Sequence, residues 1–389
     1  MKILITSYWY KPAINGVVTS VCNLEDELIK QGHEVKILTL SPDKHSYKQD
    51  NVYYIGALSL ERFNPYIRVP IKSTSQYFDE LVAWSPDIIH SQCELFTFAI
   101  SVRLSMQSMA PLVHTYHTVY AEYTHYFSPS KTVGENIVAQ FSRKVLAKVD
   151  AVIAPTDKTK HILERYDIDS AIHTIPTGID MTQFNAPLNH SAIQSLRTQY
   201  GLSIDDKVLI SVGRIAKEKN LDEIIESFAV FRDSNIKLLL VGDGPHRKSL
   251  EEKVSEMNLE KQVIFTGMVS PNNVRLYYEL GDIFVCASNS ETQGLTYIEA
   301  LACGLPVICK ADECLRDVIY PLKNGYIFHT QADFIAAVNT LFRNPTQYLR
   351  LSKYAKETAK RFSKEQFAHS IVELYQHVIE TKTPRQICM

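Results

Sequence analysis

The stretch KILITSYWYKPAINGVVTSVCNLEDELIKQGHEVKILTL, residues 2–40, indicates the fold class. It opens with an apolar strand run, continues through a loop at 11–20, and then shows apolar residues at helical intervals over 21–31. Gly32 stands where a helix C-cap is expected, and a second strand run follows at 34–40. This order of strand, helix and strand is the unit of a parallel sheet.

The same alternation continues along the rest of the chain. In the first half, further strands are predicted at 87–90, 111–117 and 151–156. In the second half, they are predicted at 207–214, 236–244, 262–267, 282–288 and 305–310. Helix-length segments separate them, so we expect an α/β protein with two doubly wound, Rossmann-like domains.

The domain boundaries follow from the polar segment between the two series of strands. Residues 180–203 are rich in polar residues and are predicted to be the linker, with a hinge near 177–185. The predicted domains are 1–182 and 183–362, followed by a C-terminal helical segment, 363–389. Ser363 and Gln366 have the spacing of a capping box at the start of that last helix.

Composition and charge exclude several classes of protein. With 389 residues, 45% hydrophobic and 22% charged, the chain is long enough for two globular domains. The net charge of -2 gives no general attraction to nucleic acid. Seven scattered cysteines favour reduced thiols, and Met1 leads directly into a strand. No apolar stretch has the length of a membrane-spanning helix, so we expect a cytosolic protein.

The run ETQGLTYIEALACGLPVI, residues 291–308, is the most informative candidate for a binding site. Glu291 lies in a loop after a strand, and the loop leads into a helix that carries Glu299. Unpaired N–H groups and the positive end of the helix dipole suit a phosphate, while two carboxylates suit sugar hydroxyls. A capped helix with a solvated Glu299 explains the spacing equally well.

The second candidate is SVGRIAKEKN, residues 211–220. Here a strand ends and delivers Arg214 and Lys219 into a loop at the carboxyl edge of the sheet, where open α/β sheets bind ligands. A guanidinium fork and a point charge suit a diphosphate. An exposed basic loop is the alternative.

Three weaker features accompany these candidates. Gly16, after the first strand, would let the backbone approach a phosphate. VGDGP, residues 241–245, lacks the third glycine of a dinucleotide fingerprint, which excludes NAD and FAD. His114 and His117 leave a buried strand, where a neutral histidine could orient a sugar hydroxyl or an acceptor. A core histidine satisfied by a backbone carbonyl is equally consistent.

Taken in order, several motifs resemble those of the retaining glycosyltransferases of family four. They are NGVVTS (15–20), HTYHT (114–118), PTGID (176–180), GRIAKEKN (213–220), GDGP (242–245), FTG (265–267) and ETQGLTYIEALACGLPV (291–307). The resemblance covers nearly the whole chain and implies a GT-B fold. It implies an acceptor-binding first domain and a donor-binding second domain facing across a cleft, with the last helix crossing back to the first domain.

The resemblance also implies roles for individual residues. Glu291 would contact the donor sugar, Glu299 the ribose, and Arg214 with Lys219 the diphosphate. Backbone N–H groups of the donor site would come from Gly294, Leu295 and Thr296, with Gly267 nearby and Gly16 closing on the phosphate from the other domain. His114 would lie beside the anomeric carbon. The family needs no metal, because the basic pair supplies the positive charge.

Within the family the chain resembles bacterial diacylglycerol glucosyltransferases, which implies UDP-glucose as donor and a lipid as acceptor. The chain departs from many relatives in two places: Asn15 replaces a glycine, and 311–313 replace a glycine pair. The segment LERFNPYIRVPIK, residues 60–72, interleaves cations with apolar side chains and is predicted to contact an anionic membrane surface. The candidate acceptor or membrane residues are Arg62, Phe63, Arg68, Lys72 and His117.

Other functions fit the same pattern. The acceptor could be a polysaccharide or a protein-linked glycan, in which case 60–72 is an ordinary packed loop. A nucleotide-sugar epimerase can share this fold, since fold does not decide chemistry. An inactive partner subunit would have lost the donor carboxylates or the basic pair, whereas this chain keeps all four residues.

Overall fold

The computed structural model describes residues 1–59, 68–71, 76–126, 128, 130–232, 234–288 and 290–382. Two compact units divide the chain. The first comprises Met1–Gly178 together with the chain from Lys364 onward, and the second comprises Ile179–Ser363. The sequence places the corresponding boundaries at 182/183 and 362/363.

The first unit is built on a largely parallel sheet. Its strands are β1 (Lys2–Thr6), β2 (Glu34–Leu40), β3 (Tyr47–Gln49), β4 (Val52–Ile55), β5 (Ala57–Ser59), β6 (Arg68–Pro70), β7 (Ile88–Ser91), β8 (Leu112–Thr115), β9 (Ala151–Ala154) and β10 (Ala171–Thr174). Its helices are α1 (Gly16–Lys30), α2 (Gln76–Trp84), α3 (Phe96–Ser108), α4 (Lys131–Leu146) and α5 (Asp157–Arg165). A 3-10 helix spans Tyr120–Tyr126.

The strand order of this sheet is β10-β9-β8-β7-β1-β2-β4-β3, and β5 pairs separately with β6. In the main sheet, β3 pairs with β4 in antiparallel orientation, and all other described strand pairs are parallel. Every residue of β7, β8 and β9 is buried, as expected for strands with helices on both faces.

The start of α1 corrects the sequence prediction, which extends the preceding loop to residue 20. The Asn15 side chain accepts a hydrogen bond of 2.9 Å from the Val18 N–H and therefore caps a helix that begins at Gly16. The asparagine that departs from the family pattern is thus a helix cap. Gly16 becomes the first helical residue, and it is exposed.

The second unit has its own parallel sheet. Its strands are β11 (Lys207–Val212), β12 (Ile236–Val241), β13 (Val263–Gly267), β14 (Ile283–Cys286), β15 (Val307–Lys310) and β16 (Gly325–Phe328). Its helices are α6 (Met181–Asn185), α7 (His190–Gln199), α8 (Leu221–Phe228), α9 (Arg247–Glu256), α10 (Val274–Tyr278), α11 (Leu295–Ala302), α12 (Gln331–Arg343) and α13 (Pro345–Ala359). The strand order is β13-β12-β11-β14-β15-β16.

The predicted linker at 180–203 is wrong, because this segment folds into α6 and α7 as part of the second unit. The Asp180 side chain accepts from the Thr182 N–H at 2.9 Å, and the Asn189 side chain accepts from the Ala192 N–H at 3.0 Å. The polar residues that suggested a loop are therefore helix caps.

The last helix, α14 (Lys364–Thr381), packs against α1 and belongs to the first unit. Its apolar residues at helical spacing, Phe367, Ile371, Leu374, Tyr375 and Val378, are all buried. The Tyr375 hydroxyl lies 2.6 Å from His90 Nδ1 on β7. None of the described helices is both long and apolar enough to cross a bilayer.

Candidate functional site

The predicted residues of the second unit meet where the strand order changes direction. β11 lies in the middle of the sheet. The strands that follow it in sequence, β12 and β13, lie on one side of it, and β14, β15 and β16 lie on the other side. Arg214 and Lys219 follow β11, and Glu291 follows β14. The carboxyl ends of such neighbouring strands form the crevice in which open α/β sheets bind ligands.

An ion pair joins two of these residues. Lys219 Nζ donates to Glu291 Oε1 at 2.5 Å, and both side chains keep some exposure, 26% and 14%. Asn220, next to Lys219, adopts a left-handed conformation with φ 51° and starts α8. The short 3-10 helix Lys217–Lys219, which follows β11, therefore places the Lys219 side chain next to the loop after β14.

Arg214 is the most exposed member of the group, with 55% of its side chain accessible. Its Nη1 lies 3.8 Å from Oε1 of Glu218, a long ion pair. Glu218 is 92% buried, since only 8% of its side chain is exposed, and its Oε2 has no hydrogen-bond partner among the described groups. Sequence reasoning missed Glu218, which lies between Arg214 and Lys219 in the same motif.

Glu299 lies on α11 and is partly buried. It accepts a hydrogen bond of 2.7 Å from the Tyr278 hydroxyl. Desolvation raises the pKa of Glu299 to about 7, against the smaller opposing effect of that hydrogen bond. The group is therefore not the freely solvated carboxylate of the alternative interpretation.

Gly294 gives α11 its start. It has φ 76°, and an added Cβ would lie 2.4 Å from Cδ2 of Tyr297, so both backbone and space require glycine. Leu295 and Thr296 form the first turn, where N–H groups have no partner within the helix. These N–H groups lie in the turn that follows the Glu291 loop.

Close backbone packing accounts for the glycines after β12 and β13. A Cβ on Gly242 would lie 1.9 Å from the carbonyl oxygen of Gly213, and the Gly242 N–H donates to the Gly267 carbonyl at 3.0 Å. The loops after β11, β12 and β13 therefore touch through backbone atoms. Gly267 lies at the same carboxyl edge, and its contact with a donor stays a prediction.

In the first unit, His114 lies on β8 and is fully buried. Its Nε2 is 3.4 Å from Oε1 of Glu94, which is also buried. Among the described groups, neither nitrogen of His114 nor this oxygen has a hydrogen-bond partner. The second oxygen of Glu94 accepts from the Tyr120 hydroxyl at 2.8 Å. Sequence reasoning missed Glu94, which follows β7 and has no motif to mark it.

A chain of hydrogen bonds holds His117. Its Nε2 lies 2.6 Å from Oε1 of Gln92, whose Nε2 lies 3.1 Å from Nε2 of His90. His90 Nε2 is also 2.7 Å from the Thr115 hydroxyl. Burial lowers the pKa of His117 to about 4 and that of His90 well below its usual value, so both rings are neutral at pH 7.

Only one of the four predicted membrane residues of 60–72 can be located. Arg68 lies on β6, with its guanidinium 5.1 Å from the centre of the Trp9 ring and its carbonyl accepting from the Tyr8 hydroxyl at 3.0 Å. Arg62, Phe63 and Lys72 lie outside the described residues.

Within the described residues, no group of three or more histidine, cysteine, aspartate or glutamate side chains is placed to hold a metal ion. Asp167 and Asp169 have an Asp-x-Asp spacing. They precede β10 and line a hollow with Arg143 and Lys144. This is the amino edge of the sheet, opposite the edge near His114 and Glu94.

Comparison with known proteins agrees with this geometry. Residues 14–183 match the family described as Glycosyltransferase Family 4, and residues 193–358 match Glycosyl transferases group 1. Alpha-monoglucosyldiacylglycerol synthase from Streptococcus pneumoniae is 33% identical over 87% of this chain and 77% of its own length. The synthase of the same name from Acholeplasma laidlawii is 31% identical over 98% of each chain.

Solved structures show the same fold. HepE from Anabaena superposes with a TM-score of 0.75 at 18% identity, covering 97% of this chain and all of that one. The predicted two-domain fold and the predicted family are thus confirmed. With two consecutive family matches and relatives above 30% identity over most of its length, the chain belongs to glycosyltransferase family 4, whose members have the GT-B fold.

Proposed function

We propose that this glycosyltransferase moves glucose from UDP-glucose to a diacylglycerol lipid and retains the anomeric configuration. The observation that carries the proposal is the similarity to two synthases whose names specify an alpha-glucosyl diacylglycerol, one of them over 98% of both chains. UDP-glucose holds its sugar in α-linkage, so an α-linked product requires retention.

The geometry of the second unit suits the donor. The diphosphate would take Lys219 from its ion pair with Glu291 and would contact the exposed guanidinium of Arg214. Two cations aimed at a departing diphosphate stabilise the charge that develops in the transition state. Glu291, released from the lysine, would then accept hydrogen bonds from sugar hydroxyls, and the first turn of α11 would bind a phosphate oxygen.

The partly buried Glu299 suits the ribose. A carboxylate can accept hydrogen bonds from two neighbouring hydroxyls, and the Tyr278 hydroxyl holds one of its oxygens in place. Because this carboxyl has a pKa of about 7, its affinity for ribose depends on pH in the neutral range.

The first unit would bind the acceptor. His114 and Glu94 place a ring nitrogen and a carboxylate oxygen 3.4 Å apart, without a hydrogen bond between them. A hydroxyl group can donate to the oxygen and accept from the nitrogen at once. His114 would lie beside the reacting carbon, and Gly16, at the exposed start of α1, would approach a phosphate.

We further propose that the reaction needs no metal and that the enzyme works on the inner face of the cell membrane. Lys219 and Arg214 supply the two positive charges that a metal ion would otherwise supply to a diphosphate. A lipid acceptor lies in a membrane, so the enzyme must contact the membrane surface. The net charge of -2 gives no general attraction to nucleic acid.

The test combines a panel of nucleotide sugars with two acceptors, diacylglycerol in vesicles and a soluble oligosaccharide, and with a control that contains no acceptor. We expect glucosyl lipid from UDP-glucose and only slow donor hydrolysis without an acceptor. Transfer to the oligosaccharide alone would contradict the lipid acceptor. Isomerisation of the donor without any acceptor would indicate an epimerase instead.

A further inference from the structure

Helix α4 (Lys131–Leu146) is held in the first unit by one face. The buried residues of that face are Gly134, Val138, Ser142, Val145 and Leu146. A Cβ on Gly134 would lie 2.6 Å from Cβ of Thr124, so the 3-10 helix over Tyr120–Tyr126 lies directly against it. The Ser142 hydroxyl lies 3.0 Å from that of Tyr116. This face fixes the orientation of the helix.

A second face of α4, about 110° around the helix axis from the buried one, is apolar and exposed. Val133, Ile137 and Phe141 keep 53%, 51% and 36% of their surface accessible. They are spaced four residues apart, so they line one side of α4. Large apolar side chains scattered singly on a surface are ordinary, whereas a continuous stripe on one helix marks a contact surface.

Cations lie at the C-terminal end of the same helix. Arg143 and Lys144 belong to its last turn and Lys148 follows it, and all three are exposed. At 100° per residue, Lys144 lies within about 20° of Val133 around the helix axis. Arg143 and Lys144 share a hollow with Asp167 and Asp169, which offset part of their charge.

Within α4, all of which is described, the only carboxylate is Glu135. It lies about 200° from Val133 around the axis, on the other side of the helix. Its Oε1 is 3.9 Å from Lys131 Nζ. The exposed stripe and the cations beyond it therefore form a surface without a carboxylate of its own helix.

We propose, on the basis of the lipid acceptor inferred above, that this face of α4 docks on an anionic bilayer. Val133 and Ile137 insert at the level of the headgroups, beside Phe141, whose ring also packs edge-on against that of Tyr120 with 6.2 Å between the ring centres. Lys144 and Lys148 contact anionic lipids. This combination is the one that interfacial helices use. A protein partner fits less well, because a stripe one helix wide is far smaller than the roughly 1,000 Å² that a specific interface buries. The surface is separate from the segment 60–72.

The test is sedimentation of the full-length chain with phosphatidylglycerol or phosphatidylcholine vesicles at several salt concentrations. Lys144→Gln with Lys148→Gln should lower affinity for phosphatidylglycerol by up to roughly 25-fold, since each cation near an anionic surface contributes about fivefold and Asp167 and Asp169 offset part of the charge of Lys144. Val133→Ser with Ile137→Ser should lower it about tenfold or more, because apolar burial also contributes to interfacial binding.

Matched controls come from exposed residues of the second unit. Lys353→Gln with Lys360→Gln, and Val230→Ser with Leu349→Ser, should sediment like the wild-type chain. Vesicle binding needs no donor, so it is measured separately from transfer. Failure of lipid glucosylation with intact, α4-dependent binding would overturn only the proposed function.

Two results would overturn the proposal for α4. One is unchanged sedimentation of both α4 variants. The other is a loss of self-association in Val133→Ser with Ile137→Ser, seen by light scattering, without loss of vesicle binding. That second outcome would assign the stripe to a contact between two copies of the chain.

Discussion

The candidate residues of the two units differ in their exposure and in their hydrogen-bond pairing. In the second unit the candidate groups are partly exposed and already paired: Lys219 with Glu291, and Glu299 with Tyr278. In the first unit, His114 and Glu94 are buried, and three of their polar atoms have no hydrogen-bond partner among the described residues. A paired, accessible site suits a charged ligand that displaces an ion pair, whereas unsatisfied buried atoms suit a hydroxyl.

The largest expected effect lies in the second unit. Lys219→Ala and Arg214→Ala should each lower kcat by about 30- to 1,000-fold, equivalent to about 2 to 4 kcal/mol in the barrier. The melting temperature should change little, because Arg214 is mostly exposed and Lys219 partly so. Steady-state kinetics and calorimetry measure the two quantities.

Lys217→Ala is the matched control, because this exposed lysine lies on the same 3-10 helix as Lys219. It should keep near-normal turnover. If Lys217→Ala and Lys219→Ala lowered kcat equally, the loss would come from the removal of any positive charge near the site. The lysine that pairs with Glu291 would then have no special role.

The second largest effect is expected in the first unit, at Glu94. Glu94→Gln preserves volume and an acceptor for Tyr120 but removes the charge beside His114. We expect kcat with the lipid acceptor to fall roughly 10- to 100-fold, the range for a buried hydrogen bond to a charged group. Donor hydrolysis without acceptor should change much less.

Glu94→Asp serves as the partial rescue, because it restores the charge on a shorter side chain. An equal loss of lipid transfer and donor hydrolysis in Glu94→Gln would mean that Glu94 only supports folding. Full activity in that variant would show that the pair with His114 does not bind the acceptor.

The contrast between the units also explains what the sequence could predict. Arg214, Lys219, Glu291 and Glu299 lie on motifs with fixed spacing in or after the loops that follow strands, so the sequence alone is enough to name them as candidates, and their roles stay predictions. Glu94 and His114 are 20 residues apart and meet only because β7 and β8 are neighbours in the sheet. No local pattern marks such a pair.

The errors at element boundaries have a related cause. Asn15, Asp180 and Asn189 are residue types shared by loops and helix caps, and the sequence prediction assigned all three to loops. What decides between the two is whether the following residues can bury an apolar face. That depends on packing partners that are distant in the chain.

A smaller effect, on the pH dependence of the donor KM, tests the proposed role of Glu299 in donor binding. Its pKa of about 7 means that the carboxyl loses its proton as pH rises through neutrality, and the charged form accepts hydrogen bonds from ribose better. The KM for donor should therefore fall, by up to about tenfold, between pH 6 and pH 8. Donor titrations at fixed ionic strength measure it.

The same group should affect stability with a defined sign. In the unfolded chain the carboxyl has its ordinary pKa of 4.5, so between 4.5 and about 7 the folded state binds the extra proton. The contribution of Glu299 to stability should fall as pH rises through this interval and then level off. Glu299→Gln should abolish both dependences, and an unchanged KM profile in that variant would exclude Glu299 from donor binding.

The smallest expected effect is that of chelation. If Lys219 and Arg214 supply the charge for the diphosphate, EDTA should leave kcat and donor KM unchanged. Kinetics before and after chelation, with magnesium or manganese added back, test this. Loss of activity that the added ion restores would contradict the role given to the basic pair.

The most direct test of the central claim is the anomeric configuration of the product. The chain is incubated with UDP-glucose labelled with carbon-13 at the anomeric carbon and with diacylglycerol in phosphatidylglycerol vesicles, and the extracted lipid is examined by NMR. The account predicts one glucosyl diacylglycerol whose anomeric coupling is that of an α-glucoside. A β-glucoside would contradict retention, and the absence of labelled lipid beside a labelled glycan would contradict the acceptor.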